Sequence, residues 1–247
     1  MVSATSKVEF RRTFFGVPVA LTFASMQGTQ RILALASGNE HKLREFSEIL
    51  APAGWEVVSI RRWVPDLADP EETEPDFRGN AKLKLEHARA LLRESAVRPY
   101  PDAIAADDSG LSVDSLEGDP GVFSARFAER AGNGSGDAAN RQELARRLRA
   151  AGLFPGASAP AAFVCAIAFS ELEPERLMEA MAECHGAVEL DERGDGGFGY
   201  DSMFLPVLAD GKLSDRTFAQ LPSETKHSLS HRGLALKALA AKLEERR

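Results

Sequence analysis

The chain has 247 residues, 44% of them hydrophobic and 27% charged, which is enough to bury a sizeable core. Its formal net charge of -7 argues against non-specific binding to nucleic acid, which depends on a surplus of lysine and arginine. With two cysteines, the sequence offers neither a disulfide framework nor a four-thiolate zinc site. No apolar run approaches the roughly 20 residues of a membrane-spanning helix. We therefore expect a cytoplasmic protein that contacts neither a membrane nor nucleic acid.

The N-terminal residues are a separate segment. Residues 1–25 carry three basic residues and then the apolar stretch TFFGVPVALTFA, which is the outline of a secretory signal peptide. Glu9 and Pro18 weaken that outline, and a strand pattern begins soon after Met26. We expect residues 1–30 to be an extension outside the fold and residues 31–247 to form a single domain, with export as the alternative.

The next segment predicts a strand–helix–strand unit. RILALAS, residues 31–37, is a nearly continuous apolar run typical of a strand that is covered on both faces. GNEHKLREFSEIL then places Leu43, Phe46 and Leu50 at helical spacing, and a second strand follows at residues 55–60. This order predicts parallel strands joined by a right-handed crossover.

The remaining elements continue the alternation of strands and helices. In chain order they are an acidic loop at 65–77, a helix at 80–94, a buried strand at 103–107, a helix at 140–153, a central strand at 161–170, a strand pair at 175–188 and a final helix capped by Ser230. There is no internal repeat and no interdomain linker. The predicted fold class is α/β, with a mixed, largely parallel-cored twisted sheet, flanking helices and two lobes around a central cleft.

SGNEHK, residues 37–42, lies between a predicted strand and the helix that follows it. The free backbone N–H groups at such a helix start can bind an anion, and Lys42 adds a full positive charge one turn into the helix. The segment lacks the GxxxxGK[ST] pattern of a Walker A loop. Taken alone, it favours the alternative that Asn39 merely caps the helix.

Two adjacent carboxylates, Asp107 and Asp108, directly follow the apolar run AIAA. Buried carboxylates are normally paired or bound to a cation, whereas a solvated turn is the alternative, because Asp, Ser and Gly favour turns. Neighbouring side chains of a strand point to opposite faces, so one carboxylate could bind Mg²⁺ or act as a base while the other orients or caps. In open α/β sheets ligands gather beyond the carboxyl ends of strands, where we place this pair.

GDGGFGYDSMF, residues 194–204, contains the spacing G-x-G-x-x-G. No predicted strand precedes it and no helix follows, so we reject a dinucleotide-binding interpretation. The stretch predicts a flexible turn that presents Phe198, Tyr200 and Asp201. An aromatic ring in such a turn can stack on a planar base, and packing of Phe198 in the core is the alternative.

KHSLSHRG, residues 226–233, gathers Lys226, His231 and Arg232 at the start of the last helix. Ser230 is a typical N-cap residue. Cations in the first turn oppose the helix dipole, and a residue that goes against local preference more often marks function than structure.

Together these segments resemble the Ham1-like inosine triphosphate pyrophosphatases, a family that hydrolyses non-standard purine nucleoside triphosphates. The matching segments are ASGNEHKLREF, EETEPDFRGNAKLK, ADDSGLSVDSLEGDPGVFSARFA, GGFGYDSMF and TFAQLPSETKHSLSHRGLAL. Each motif is weak alone, but all of them in the family's order, with FGYD and SHRG intact, are specific. The resemblance implies an α/β fold with two lobes around a nucleotide cleft, and a homodimer.

The resemblance also implies roles for individual residues. Asp108 would be the general base and would bind Mg²⁺ together with Glu72, with Ser109 beside it touching substrate. The residues of the phosphate site would be Ser37, Gly38, Asn39, Glu40, His41, Lys42, Lys84 and Arg126. The residues of the base-stacking turn would be Phe198, Gly199, Tyr200 and Asp201. Lys226, His231 and Arg232 would contact the nucleotide, the last two near the base.

The implied reaction is hydrolysis of a nucleoside triphosphate to the monophosphate and pyrophosphate by attack at the α-phosphorus. ITP and XTP carry a 6-oxo acceptor where ATP carries an amino donor, and donors such as Arg232 would favour the acceptor. The alternatives are an enzyme of the same fold that acts on pyrimidine or a broader range of triphosphates, and a nucleotide-binding regulator without activity. Ser202 and Glu192 stand where the family often has proline, which leaves the rigidity of the turn open.

Overall fold

The computed structural model describes residues 30–245, except for the side chain of Ser223. The predicted extension and the signal-peptide alternative concern residues that, apart from Gln30, lie outside the described part of the chain. The strands are β1 (Arg31–Leu35), β2 (Trp55–Ser59), β3 (Ala103–Val113), β4 (Ser158–Leu172), β5 (Glu175–Glu189) and β6 (Phe204–Pro206). The α-helices are α1 (Glu40–Leu50), α2 (Phe77–Glu94), α3 (Phe127–Arg130), α4 (Asp137–Ala150), α5 (Ser223–Leu229) and α6 (His231–Glu244).

The strands form one sheet in the order β2-β1-β3-β4-β5-β6. β1 pairs in parallel with β2 and β3, as the predicted strand–helix–strand unit requires. From β3 onward each strand is antiparallel to the next. The predicted mixed α/β sheet with flanking helices is therefore confirmed, and its parallel core consists of the three strands around β1.

The strands β4 and β5 form a long hairpin. They pair from Ser158 with Glu189 to Leu172 with Glu175, so each strand spans 15 residues. The prediction of a strand pair within residues 175–188 was wrong, because this stretch is one continuous strand. Its helix-favouring residues are held extended by backbone hydrogen bonds to β4 along its whole length.

Local capping sets where the helices begin. The Asn39 side chain accepts hydrogen bonds from the backbone N–H groups of His41 and Lys42, and α1 starts at the next residue, Glu40. Asp76 caps α2 through the N–H of Gly79, so this helix begins before the predicted residue 80. Ser230 caps α6 through Gly233, as predicted.

The two lobes follow from where the apolar side chains pack. On one face of the sheet, Phe46 of α1 and Leu236 of α6 lie in one buried cluster, and Leu85 of α2 lies in a second cluster on the other face. A third cluster contains Phe163 and Phe204 together with residues of α4, at the C-terminal end of β3. The long strands β3, β4 and β5 connect the two lobes. Within residues 30–245, no helix is both long and apolar enough to cross a membrane.

Candidate active site

The acidic pair lies within a strand. β3 continues through Asp107 and Asp108 to Val113, with Asp107 opposite Ile167 and Asp108 opposite Ala166 of β4. The prediction that the pair stands at the carboxyl end of the strand was wrong, because pairing with β4 keeps the chain extended. The two side chains do point to opposite faces: Asp107 meets α1 and α6, whereas Asp108 meets α2.

The buried Asp107 carboxylate forms an ion-pair network with Lys42 and Arg232. Lys42 Nζ lies 2.8 Å from its Oδ2 and 2.9 Å from its Oδ1, and Arg232 Nε lies 3.4 Å from Oδ2. Burial opposes ionisation, but the charges of Lys42 and Arg232 outweigh this effect and hold the pKa of Asp107 well below its ordinary value. Asp107 is therefore a fixed anion that holds a lysine and an arginine together.

Arg232 is held by a second carboxylate that the sequence reasoning missed. Its Nη1 donates to Glu45 Oε2 at 2.5 Å, and its Nη2 donates to Ser109 Oγ at 3.1 Å. Burial opposes the charge of Arg232, but Asp107 and Glu45 raise its pKa further above the ordinary range. Glu45 is buried although it lies in the charged stretch HKLRE, where helical spacing alone indicates a solvated side chain.

Asp108 has a different environment. Lys84 Nζ lies 2.7 Å from Asp108 Oδ1 and 2.5 Å from Glu72 Oε1, and Arg126 also contacts Glu72. Burial raises the pKa of Asp108, and the charge of Lys84 offsets this only in part. Its Oδ2 is buried and has no hydrogen-bond partner within residues 30–245. A buried carboxylate oxygen left unpaired is unfavourable, so this atom is available for a ligand.

The glycine-rich turn presents Phe198 to the cleft. The ring of His41 stacks on Phe198 at a centroid distance of 5.6 Å, and Lys226 Nζ lies 5.0 Å from the centre of the ring. Asp201 Oδ2 accepts hydrogen bonds from the Phe198 N–H at 2.7 Å and from Lys226 at 2.6 Å. Phe198 is only partly buried, so the alternative of simple core packing does not hold.

Tyr200 and His231 are buried beside this turn. The Tyr200 hydroxyl donates to the backbone oxygen of Ser124 at 2.8 Å, and its ring packs in the third cluster, so its side chain is not presented by the turn. The His231 ring stacks on Phe163 at 4.8 Å, and its Nδ1 is buried without a hydrogen-bond partner in the part of the chain that the structure describes. Burial and then the charge of Arg232 lower the pKa of His231 well below its ordinary value, so the imidazole is neutral.

Most of the side chains described above line a cleft of about 240 Å³. The sequence-predicted residues that line it are Asn39, Lys42, Glu72, Lys84, Asp108, Ser109, Phe198, Gly199, Tyr200, Asp201, Lys226, His231 and Arg232. Five predicted residues lie behind or beside the lining. Ser37 Oγ accepts the N–H of Asn39, Gly38 lies against Arg61, Glu40 is exposed, His41 stacks on Phe198, and Arg126 contacts Glu72.

The two positions that depart from the family pattern contact each other. Ser202 Oγ donates to Glu192 Oε2 at 3.3 Å, and Arg141 Nε donates to the same oxygen at 2.6 Å. The sequence reasoning missed Arg141 and also Asp137, which lines the cleft. Both lie in α4, which begins at Asp137 and not at the predicted residue 140, and the sequence does not indicate which loop this helix faces.

A two-lobed α/β fold, with a cleft where buried acids alternate with cations beside a partly buried aromatic ring, has the chemistry expected of a class of protein that binds a polyanion joined to a planar group. The sequence matches the Ham1 family model over residues 33–242, and the chain belongs to the Ham1 family.

Relatives of known annotation support this assignment. The chain is 40% identical over 205 residues to the dITP/XTP pyrophosphatase of Desulforamulus reducens, covering 83% of this chain and 92% of the relative. It is 42% identical over 211 residues to the dITP/XTP pyrophosphatase of Gloeobacter violaceus, covering 85% and 92%. The structure resembles a HAM1 protein from Coxiella burnetii with a TM-score of 0.71 and 32% identity, covering 87% of this chain and 99% of that one.

Proposed function

We propose that the protein hydrolyses non-standard purine nucleoside triphosphates, such as ITP, dITP and XTP, to the monophosphate and pyrophosphate. One observation carries the proposal: a single cleft brings together Asp108 with its unpartnered oxygen, the ammonium groups of Lys42 and Lys84, and the ring of Phe198. The names of the relatives, dITP/XTP pyrophosphatase, support the same substrate class.

The phosphate groups bind at the start of α1 and beside α2. The positive end of the α1 helix dipole favours an anion, and Lys42 and Lys84 supply two positive charges. Both lysines are paired with carboxylates, which hold their side chains at the cleft before the substrate arrives. Such preorganised charge stabilises the negative charge that develops on the departing pyrophosphate.

The residues around Asp108 fit a magnesium ion. Asp108 Oδ2 is an unpartnered buried oxygen, and Glu72 lies against the same Lys84 ammonium as Asp108. Both are hard oxygen donors, and Mg²⁺ usually takes one or two carboxylates and completes its shell with water and phosphate oxygens. Residues 30–245 contain no cluster of three or more His, Cys, Asp or Glu side chains placed to hold a metal. When bound, the ion neutralises phosphate charge.

Asp108 accepts the proton of the attacking water. A general base works best when its pKa lies near the working pH, and burial moves the pKa of Asp108 upward from the ordinary value of an aspartate. Lys84 holds the carboxylate through Oδ1, so Oδ2 is left to accept the proton.

The purine base stacks on Phe198, and polar groups read its 6-position. Arg232 carries five N–H donors, of which three contact Asp107, Glu45 and Ser109, so donors remain for a 6-oxo group. An amino group at the same place would set donors against donors, which polar sites reject strongly. Mg²⁺ as the cofactor, a homodimer and a cytoplasmic location remain parts of this proposal.

The test is pyrophosphate release from ITP, dITP, XTP, ATP, GTP and dTTP with Mg²⁺. We expect turnover of the first three at rates at least about 100-fold above ATP, as a polar discriminating site allows. Equal rates for ITP and ATP would remove the selectivity, and preference for dTTP would support a pyrimidine enzyme instead. Binding of ITP without turnover would support a regulator. A separate titration of Mg²⁺ in the presence of a non-hydrolysable ITP analogue should lose its heat signal in Asp108→Asn.

A further inference from the structure

The turn that carries Phe198 is held by side chains from α4. Asp137 Oδ2 accepts the backbone N–H of Gly199 at 2.7 Å. Arg141 Nη1 donates to the backbone oxygen of the same glycine at 2.9 Å. Asp137 and Arg141 are one helical turn apart on α4 and so present their ends on the same face. The two polar groups of Gly199 are thus bound from one side by one helix.

The geometry of the turn makes this double contact informative. Gly199 has a φ of 60°, a left-handed conformation that side-chain-bearing residues seldom adopt, and a Cβ at this position would meet no atom within 4 Å. The glycine is therefore required by its backbone conformation and not by lack of space. Such a residue is free to take many conformations unless its backbone groups are bound, and Asp137 and Arg141 bind them.

Asp137 does not cap its own helix. Gly136 occupies the N-cap position of α4, and the helix has no side-chain cap hydrogen bond. An aspartate beside the N-terminus commonly bonds to a nearby backbone N–H of its own helix. Here the carboxylate reaches across to Gly199, 62 residues away in sequence. The Asp137 carboxylate therefore binds the turn and does not act as the cap of α4.

Arg141 is itself held in place. Its Nε donates to Glu192 Oε2 at 2.6 Å, and Ser202 Oγ donates to the same oxygen at 3.3 Å. Glu192 precedes the turn and Ser202 follows it. Arg141 therefore links Gly199, within the turn, to Glu192, which also binds Ser202. On the opposite side, Asp201 accepts the Phe198 N–H and is bound by Lys226.

We propose that Asp137 and Arg141 are positioning residues that fix the ring of Phe198 for stacking on the nucleobase. This inference rests on the proposed function, in which Phe198 contacts the base. Their hydrogen bonds go to Gly199 and Glu192, and not to Asp108 or to the lysines of the proposed phosphate site. They act through Gly199 on the neighbouring ring, and they therefore control how tightly the base is bound and not how fast the phosphate bond is broken.

The kinetic test uses Asp137→Ala and Arg141→Met, with Arg149→Met as the matched control on an exposed position of the same helix. We expect KM for ITP to rise about five- to tenfold in the first two, as loss of one hydrogen bond allows, with kcat unchanged. The inhibition constant of inorganic tripolyphosphate, which has no base, should not change. Asp137→Asn, which keeps an acceptor oxygen, and Arg141→Lys should restore much of the affinity.

A double-mutant cycle tests whether these residues act through the ring. In a Phe198→Ala background, Asp137→Ala should raise KM no further, because the ring that it positions is gone. The inference would be overturned if Asp137→Ala raised KM by the same factor in the wild type and in the Phe198→Ala background. A rise in the inhibition constant of tripolyphosphate equal to the rise in KM would do so as well, because it would indicate general damage to the cleft.

Amide hydrogen exchange separates this inference from the proposed function. Exchange at Phe198 and Gly199 should accelerate about five- to tenfold in Asp137→Ala and Arg141→Met but not in Arg149→Met. This result does not depend on turnover. If the wild-type protein hydrolyses no triphosphate, the proposed function fails while the exchange still tests the restraint. Unchanged exchange in an active enzyme would overturn the inference alone.

Discussion

The two faces of β3 carry the same side chain in two different environments. On the face toward α1 and α6, Asp107 is paired with Lys42 and Arg232, which lower its pKa against the effect of burial. On the face toward α2, burial dominates for Asp108, its pKa is raised, and one oxygen has no partner. An aspartate with both oxygens paired to cations is held as a structural anion. An aspartate with one unpaired oxygen can bind a cation or a proton.

The largest effect should follow from Asp108→Asn. Loss of the proposed general base should lower kcat for ITP about 10²- to 10⁴-fold, the usual contribution of general base catalysis. Since the fold disfavours the ionised form of Asp108, the free energy of unfolding should stay the same or increase. Pyrophosphate release and urea denaturation measure the two quantities. A kcat near that of the wild type would assign the base to another residue.

Asp107→Asn should instead lower the free energy of unfolding. It removes the anion between Lys42 and Arg232, and loss of one partner of a buried ion pair costs about 3–5 kcal/mol of stability. Urea denaturation of Asp107→Asn measures this, and Asp114→Asn, at an exposed position just beyond β3, is the control, with an expected change within about 0.5 kcal/mol. Equal stability of the Asp107 and Asp108 variants would show that the two faces do not differ in this way.

His231 allows a test, with a smaller expected effect, of the face of β3 that carries Asp107. Burial and the nearby Arg232 lower its pKa well below 6.5, so the unfolded chain binds a proton that the folded protein does not. Stability should therefore fall as the pH drops below 6.5, by up to about 1.4 kcal/mol per pH unit from this residue. His231→Asn should remove that part of the slope. Parallel slopes for the variant and the wild type, measured by urea denaturation, would contradict a buried neutral imidazole.

The spacing of apolar residues correctly predicted those helices and strands whose buried positions follow the period of the helix or strand itself. The apolar run at residues 31–37 became β1, and the spacing of Leu43, Phe46 and Leu50 correctly placed α1. The turn-like letters DDSG did not predict the continuation of β3. Asp, Ser and Gly favour turns locally, and what overrides them is pairing with β4, more than 50 residues away, and the counter-charges of Lys42 and Lys84.

The motifs that form the candidate site could be predicted from the sequence, but the residues that hold those motifs in place could not. Residues of the motifs ASGNEHK, ADDSG, FGYD and SHRG meet at one cleft. Glu45, Asp137 and Arg141 were missed, since Glu45 and Arg141 look like ordinary charged residues of an exposed helix face and Asp137 lies before the predicted helix at 140–153. Their roles come from partners on distant segments, namely Arg232 for Glu45 and Gly199 for the other two. Only tertiary structure carries that information.

The central claim is that the catalytic ion binds on the Asp108 face of β3 and not on the Asp107 face. Binding of Mn²⁺, as a paramagnetic replacement for Mg²⁺, can be followed by electron paramagnetic resonance in the presence of a non-hydrolysable ITP analogue. We predict that the folded Asp107→Asn protein keeps the Mn²⁺ site and that Asp108→Asn loses it. Retention of the site in Asp108→Asn together with its loss in Asp107→Asn would contradict the account.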